Sequence, residues 1–337
     1  MVHMTFTRFV REQWGPIPLT TGDLARRSVL ITGAGSGLGL EAATHLASMR
    51  PGSLLLTHRD TSGSPPALTS LSNRVVGVVA SFLDLTSFAS VKKLETEAAT
   101  ANIDTCVANA AMATRTFVKT IDGWESALQV NYLSNALLCI LLLPHLIKNG
   151  SNDSPSRLIL LSSDGHHFVN GAKLPRADAI LDTLNDPAYC SPGIMRNRYD
   201  VTKTLLLMFA DELAARLPKD SPVSVMSVNP GFCHSRLTRE TESKVWGKVL
   251  VGTFKWIVAR PAEEGSRTIV HAVVTPDHKK LHGQYITACA ISGESEFLSS
   301  PEALRFRSAL WRETIEALDK ADPRVSEIVN AHFVSRA

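Results

Sequence analysis

Cysteine is scarce in this chain: five residues, at positions 106, 139, 190, 233 and 289, form no CxxC pair, and their number is odd. This argues against a disulfide framework and a cysteine-built zinc site, and a reducing, cytoplasmic setting is the expectation. Charge of one sign is also lacking. Lys and Arg number 35 against 32 Asp and Glu, a net charge of +3, so nothing basic enough for nucleic acid stands out. Residues 1–13 hold His3, Arg8, Arg11 and Glu12 and no apolar segment of a secretory signal. The longest apolar stretch, 136–147, is interrupted by Pro144 and His145 and is shorter than the ~20 residues a bilayer requires, so a soluble chain without a membrane span is expected. No HExxH or similarly paired spacing links His166, His167, Cys233 and His234, so no metal is expected.

What is present is a large apolar fraction, 44% of 337 residues, enough for a substantial core. At roughly 150 residues per domain the length admits two units, but no linker, repeat or low-complexity tract divides the chain. The expected organisation is a leader over 1–25, in which Trp14-Gly15-Pro16-Ile17-Pro18 cannot continue a helix, followed by a single domain over 26–337. Short apolar runs at 28–31, 54–56, 75–80, 105–108, 158–161 and 223–228 alternate with helical periodicity at 38–49, 87–99, 124–146 and 198–217. A last strand over 284–287 and helices over 301–318 and 323–333 close the chain. Strands separated by helices of this length predict an α/β fold: one Rossmann-type, doubly wound parallel sheet with helices on both faces, extended by a loop insert over 165–197 and by the C-terminal helices.

Thr32-Gly33-Ala34-Gly35-Ser36-Gly37-Leu38-Gly39 follows the first predicted strand and opens the first helix. In that place backbone amides and a helix N-terminus can hold a pyrophosphate, and glycines let the main chain approach it. The spacing Gly33-x-x-x-Gly37-x-Gly39 is neither GxGxxG in register nor a Walker A loop. At the end of the second strand an acidic residue would bind the ribose 2′-OH of NAD, and an arginine the 2′-phosphate of NADP. Here His58 and Arg59 stand there, with Asp60 one residue later, so NADP(H) is the expected cofactor over NAD(H).

Tyr199 and Lys203 stand at i and i+4 near the start of a predicted helix and share one face. A neighbouring ammonium should lower the phenol's pKa and let it exchange protons near neutrality. The order of glycine loop, Asn109, Asn131, Ser162-Ser163, Tyr199 and Lys203 is similar to that of the short-chain dehydrogenase/reductase superfamily over residues 27–290. The resemblance extends to its retinol-dehydrogenase-like and carbonyl-reductase-like members, including fungal enzymes of secondary metabolism. TGAGSGLG (32–39) resembles the family's TGxxxGxG loop, Asn109-Ala110-Ala111 its NAG with alanine for the last glycine, and Asn229-Pro230-Gly231 its turn after the sixth strand.

The resemblance implies a cofactor site of Thr32, Gly33, Ser36, Gly37, Leu38, Gly39, His58, Arg59, Asp84, Leu85, Asn109, Ala110, Ala111, Tyr199, Lys203, Pro230, Gly231, Phe232 and Ser235. In it Asp84 would contact the adenine; as residues alone it equally suits a helix N-cap. The implied catalytic set is Asn131, Ser163, Tyr199 and Lys203: Tyr199 exchanges the proton, Lys203 holds the ribose and tunes Tyr199, Ser163 bonds the substrate oxygen, and Asn131 positions a relay water. Ser163, His166 and Trp246 are the expected substrate contacts, with the insert bordering the pocket or forming an external excursion. Over 243–259, within a lid region at 235–260, Trp246, Leu250, Phe254 and Ile257 form an apolar face that suits a lid over a bulky hydrophobic substrate, a dimer surface or a membrane contact. The implied activity is interconversion of a ketone or aldehyde with an alcohol, with reduction the favoured direction; non-redox isomerisation or dehydration, and a non-catalytic NADP-binding regulator, are the alternatives. The resemblance implies assembly as dimers or tetramers through the long helices 124–146 and 198–217, so a homodimer is compatible, although the leader and the C-terminal helices could block one such surface.

Overall fold

In the computed structural model the described residues are 13–234, 258–276 and 278–334. The short apolar runs form a single sheet: β1 (Ser28–Ile31), β2 (Ser53–His58), β3 (Val78–Phe82), β4 (Thr105–Ala108), β5 (Ser156–Leu161), β6 (Val223–Asn229), β7 (Gln284–Thr287) and β8 (Ala290–Ser292). Their order is β3-β2-β1-β4-β5-β6-β7-β8, parallel except for β8, which pairs antiparallel with β7. Strands covered on both faces must be apolar throughout, and β1, β2, β4 and β5 are buried almost along their whole length.

The helices are α1 (Gly37–Ser48), α2 (Pro66–Arg74), α3 (Phe88–Thr100), α4 (Ser126–Asn149), α5 (Arg198–Arg216), α6 (Ala262–Val274), α7 (Pro301–Ala321) and α8 (Arg324–His332). One core layer joins the sheet to α1 and α6 and includes Leu24 of the leader; the other joins it to α3, α4 and α5 and continues under α7 and α8. The leader is thus tied to the domain, with Ile17 and Leu24 buried. α8 packs on α4, and α7 packs on α5.

Several expectations need correction. The predicted helix 124–146 starts at Ser126 and contains a π turn at Gln129–Leu133 centred on Asn131; such turns collect at functional sites. The 24-residue α4 is apolar and long enough to cross a membrane, but it is a core helix with 83% of its most apolar window buried. The strand predicted at 75–80 lies at 78–82, because the unpredicted α2 runs to Arg74 and Gly77 turns the chain at φ +83°. Helix α2 is rich in Ser and Asn, poor helix formers, and its start is set by Pro66 at the first position. His282 accepts from the Val225 amide (3.3 Å) and donates to Ala214 O (3.1 Å), joining β6 to α5.

The sheet positions the site. β1 and β4 are neighbours, and from that pair the order runs outward in opposite directions. The crevice beyond the carboxyl ends of strands at such a reversal is where an open α/β sheet takes its ligand.

Candidate active site

A cleft of about 1040 Å³ opens at that reversal. Its walls include Gly33, Ser36, Gly37, Leu38 and Gly39 from the glycine loop, His58 and Arg59 after β2, and Asp84 and Leu85 after β3. Asn109, Ala110 and Ala111 follow from β4, with Tyr199 and Lys203 of α5 and Pro230 after β6. The fifteen residues predicted from six separate segments therefore meet in one space. Thr57, Asp60, Pro65, Met112, Ala113, Val130, Leu161 and Ser162 also line it and were not anticipated. Apart from Val130, in the π turn of α4, they are ordinary residues of strand ends and loops, and only the position of the strands marks them.

The glycine loop is shaped for a ligand with bulk and negative charge. Gly33 and Gly37 hold φ of +68° and +59°, which favour glycine, and nothing lies within 4 Å of where a Gly37 side chain would begin. Ser36 precedes α1 in extended conformation, and its side chain makes no capping bond, so the first amides of α1 face the cleft without a side-chain acceptor. The loop is tied down from behind. Asn109 Nδ2 donates to Thr32 O (2.8 Å), and the Asn109 and Ala110 amides donate to Thr32 Oγ1 (3.0 Å each). Thr32 itself is fully buried and supports the loop without reaching the cleft.

At the β2 end, Arg59 is exposed on the cleft and makes no ion pair or hydrogen bond within the described residues. Asp60 is turned toward Ser62, whose amide and hydroxyl donate to Oδ1 at 3.0 and 2.7 Å, and those bonds hold its carboxyl below the usual range. Asp84 Oδ1 closes a turn with the Thr86 amide (2.9 Å) and hydroxyl (2.8 Å). The N-cap of α3 is Ser87, which corrects the capping alternative for Asp84 and leaves Asp84 as a wall of the cleft.

At the β5 end, Lys203 is buried, and its Nζ donates to Leu161 O at 2.6 Å. Burial pushes its pKa down to about 7. Tyr199 is pushed up from the ordinary phenol value by burial and then by the neighbouring Asp200 carboxylate; its hydrogen bond with Ser163 pulls the other way. The expected lowering of the phenol by the ammonium is not what dominates here: burial is the leading influence on both groups, raising the phenol and lowering the ammonium. Ser163 Oγ also accepts from the Gly165 amide at 3.1 Å.

Asn131 is fully buried and does not line the cleft. Its Oδ1 accepts from the Met112 amide (2.8 Å), and its Nδ2 donates to Met112 O (2.8 Å) and Thr202 Oγ1 (2.9 Å). Its side chain therefore fixes the strand-β4 loop against α5. His166 is corrected as a substrate contact: it is fully buried, outside the cleft, with Nδ1 bonded to Ser163 O at 2.8 Å and its ring against Tyr285. Burial lowers its pKa to about 4, so it is neutral at physiological pH and Nδ1 carries the donated proton.

The insert supplies no wall of this cleft. It packs Ile180, Leu181 and Leu184 into the core and encloses a separate space of about 120 Å³ with Asp200 and Val201. Gly231 and Phe232 lie behind Pro230, outside the cleft lining. Ser235, Trp246 and the apolar segment 243–257 lie outside the described residues.

The buried lysine carries a stability prediction. Its folded pKa of about 7 lies below the ordinary 10.5, so above pH 7 the unfolded chain binds more protons than the folded one. Stability of the dinucleotide-free protein is therefore expected to rise with pH between about 7 and 9. Urea midpoints across that range check this; an equally steep rise in Lys203→Met would remove Lys203 as the cause.

A family model described as short chain dehydrogenase matches residues 27–168. Short chain dehydrogenase FGM9 of Gibberella zeae is 32% identical over 337 residues, covering 97% of this chain and 96% of its own. Short-chain dehydrogenase/reductase phmF of Phaeosphaeria nodorum is 33% identical, covering 96% and 95%. Among solved structures, NADPH-bound carbonyl reductase from chicken fatty liver shares the fold with a TM-score of 0.60 at 19% identity, over 83% of this chain and 99% of that one. With this likeness running the length of the chain and the glycine loop, tyrosine and lysine gathered on one cleft, the protein belongs to the short-chain dehydrogenase/reductase family.

Proposed function

We propose that the protein is an NADP(H)-dependent reductase that converts a ketone or aldehyde to the alcohol on a bulky hydrophobic small molecule, of the kind that the resemblance to fungal secondary-metabolism enzymes implies. The observation that carries this reading is one cleft with Tyr199 and Lys203 at one end and the uncommitted guanidinium of Arg59 at the other. From β2 to β6 is four strand spacings, roughly 19 Å, a span suited to an extended dinucleotide. The open space before Gly37 and the free amides of α1 suit its pyrophosphate, and Arg59 suits a 2′-phosphate. The carbonyl reductase of the same fold is described with NADPH, which supports the choice.

NADPH, when bound, supplies the hydride. The protein's part is the proton and the geometry. A phenol held neutral at physiological pH is a proton donor, so Tyr199 is set to protonate an oxygen on which negative charge develops. Ser163, in hydrogen-bond contact with that phenol, stabilises the same oxygen. Lys203, anchored on Leu161 O, fixes the floor beside them. The apolar face over 243–259 is the reason for a hydrophobic substrate.

Arg59→Ala is expected to raise the Kd for NADPH by about 10- to 100-fold, the worth of a charge-assisted bond, and to leave NADH within about twofold. Parallel titrations of the two nucleotides check this. Equal losses for both would reject NADP(H) as the preferred cofactor.

A further inference from the structure

We infer that Gln13, in the leader, is a positioning residue for the β6 end of the dinucleotide site, acting through the turn that follows β6; the inference rests on the NADP(H) reading above. Gln13 is 5% exposed, although most of the described leader that follows it, residues 14–25, is not buried. Its Oε1 accepts from the Phe232 amide at 3.0 Å, and its Nε2 donates to Phe232 O at 2.5 Å. One side-chain amide thus satisfies both main-chain groups of Phe232, as a neighbouring strand would. The same Nε2 donates to Val258 O at 2.9 Å.

The turn is built for this contact. Gly231 has φ +79°, and a Cβ on it would stand 3.1 Å from Gln13 Oε1, so glycine serves both the backbone angle and the approach of Gln13. Asn229 Oδ1 accepts from the Gly231 amide at 3.1 Å and fixes the other side of the turn. Pro230, between them, lines the same cleft as Tyr199 and Lys203.

Gln13 is itself held. Arg260, 5% exposed, donates from Nε and Nη2 to Gln13 O at 3.0 and 2.6 Å, and from Nη2 to Gly15 O at 3.2 Å. Its main chain pairs with the same turn, accepting from the His234 amide and donating to Phe232 O, both at 2.9 Å. Removing the Gln13 amide leaves the Phe232 N–H and C=O without their side-chain partner and frees a glycine turn that nothing else in the described leader restrains. Arg59, by contrast, sits four strand spacings away on a loop that Gln13 does not touch.

The test separates the two ends of the site. Gln13→Met keeps the length and loses every side-chain hydrogen bond; Gln13→Glu turns an acceptor against Phe232 O and Val258 O. Calorimetric titration with NADPH and with adenosine 2′,5′-bisphosphate, which carries only the adenine half, is run on wild type and both variants. The expected result is a rise of about tenfold in the NADPH Kd and KM in both variants, with the bisphosphate Kd changed less than twofold. An unchanged NADPH Kd, or equal weakening of both ligands, overturns the inference. If Gln13→Met does not fold, Arg260→Lys, which keeps a cation and one donor toward Gln13 O, is measured in the same way; the same selective loss at smaller size supports the inference, and its absence overturns it. Wild type that binds neither ligand overturns the NADP(H) reading, and the inference with it.

Discussion

Replacing Tyr199 with phenylalanine is expected to lower kcat for ketone reduction by about a thousandfold, within the 10²- to 10⁴-fold usually contributed by a positioned general acid. The change removes one oxygen and leaves the ring in the cleft wall. What disappears is the only phenol among the described residues that line the cleft, the one in hydrogen-bond contact with Ser163 and raised by burial so that it keeps its proton at neutral pH. NADPH binding should change by less than about threefold, since the glycine loop and Arg59 are untouched. A panel of aromatic and aliphatic ketones, followed by NADPH absorbance, measures the first quantity, and a fluorescence titration the second. Turnover at the wild-type rate in Tyr199→Phe would dismiss the phenol as the proton donor. Loss of nucleotide binding in parallel would make its role one of shape.

Gly39→Ala is the other change with a large expected effect, and its cause is steric. A Cβ at this position would lie 2.6 Å from Gly33 O, 2.7 Å from Asn109 Nδ2 and 3.1 Å from Ala34 Cα. None of these can retreat cheaply. Two belong to the backbone of the glycine loop, and Asn109 is bonded to Thr32 O at 2.8 Å while its own amide is bonded to Thr32 Oγ1. The added methyl must push the first turn of α1 away from the strand ends, the place where its amides would meet the pyrophosphate. Overpacking of this kind costs about 1–3 kcal/mol of stability. A displacement near 1 Å at a positioned site is worth about 100-fold in binding or rate. Thermal unfolding and NADPH titration of the variant check both quantities. A variant that binds NADPH like wild type would show that α1 does not hold the phosphates.

Lys203 illustrates how far a motif leads and where it stops. The i, i+4 spacing placed Tyr199 and Lys203 on one helix face, and they do meet in one cleft. The direction of their titration did not follow from spacing, because it depends on what surrounds both groups. Once Lys203 is buried on Leu161 O, desolvation lowers the ammonium and raises the phenol, and the neighbour that lowers the phenol is Ser163. His166 shows the same limit: adjacency to Ser163 suggested a substrate contact, but the turn after Ser163 folds it under the sheet against Tyr285. Asn131 stands at the expected place, yet its side chain is committed to Met112 and Thr202 by a π turn that no helical periodicity announces.

The positions of the strands other than β3 and β8, and the glycine loop, were determined by the sequence itself, because each depends on contiguous residues: apolar runs that two helical layers must cover, and glycines at the turns that need them. Only the tertiary structure decided how Gln13 meets Phe232 across 219 residues, which walls of the cleft are ordinary strand ends, and that α7 and α8 cover α5 and α4. The physical reason is that hydrogen bonds, desolvation and packing depend on distance in space, and residues far apart in the chain become neighbours only when the sheet brings their strands together.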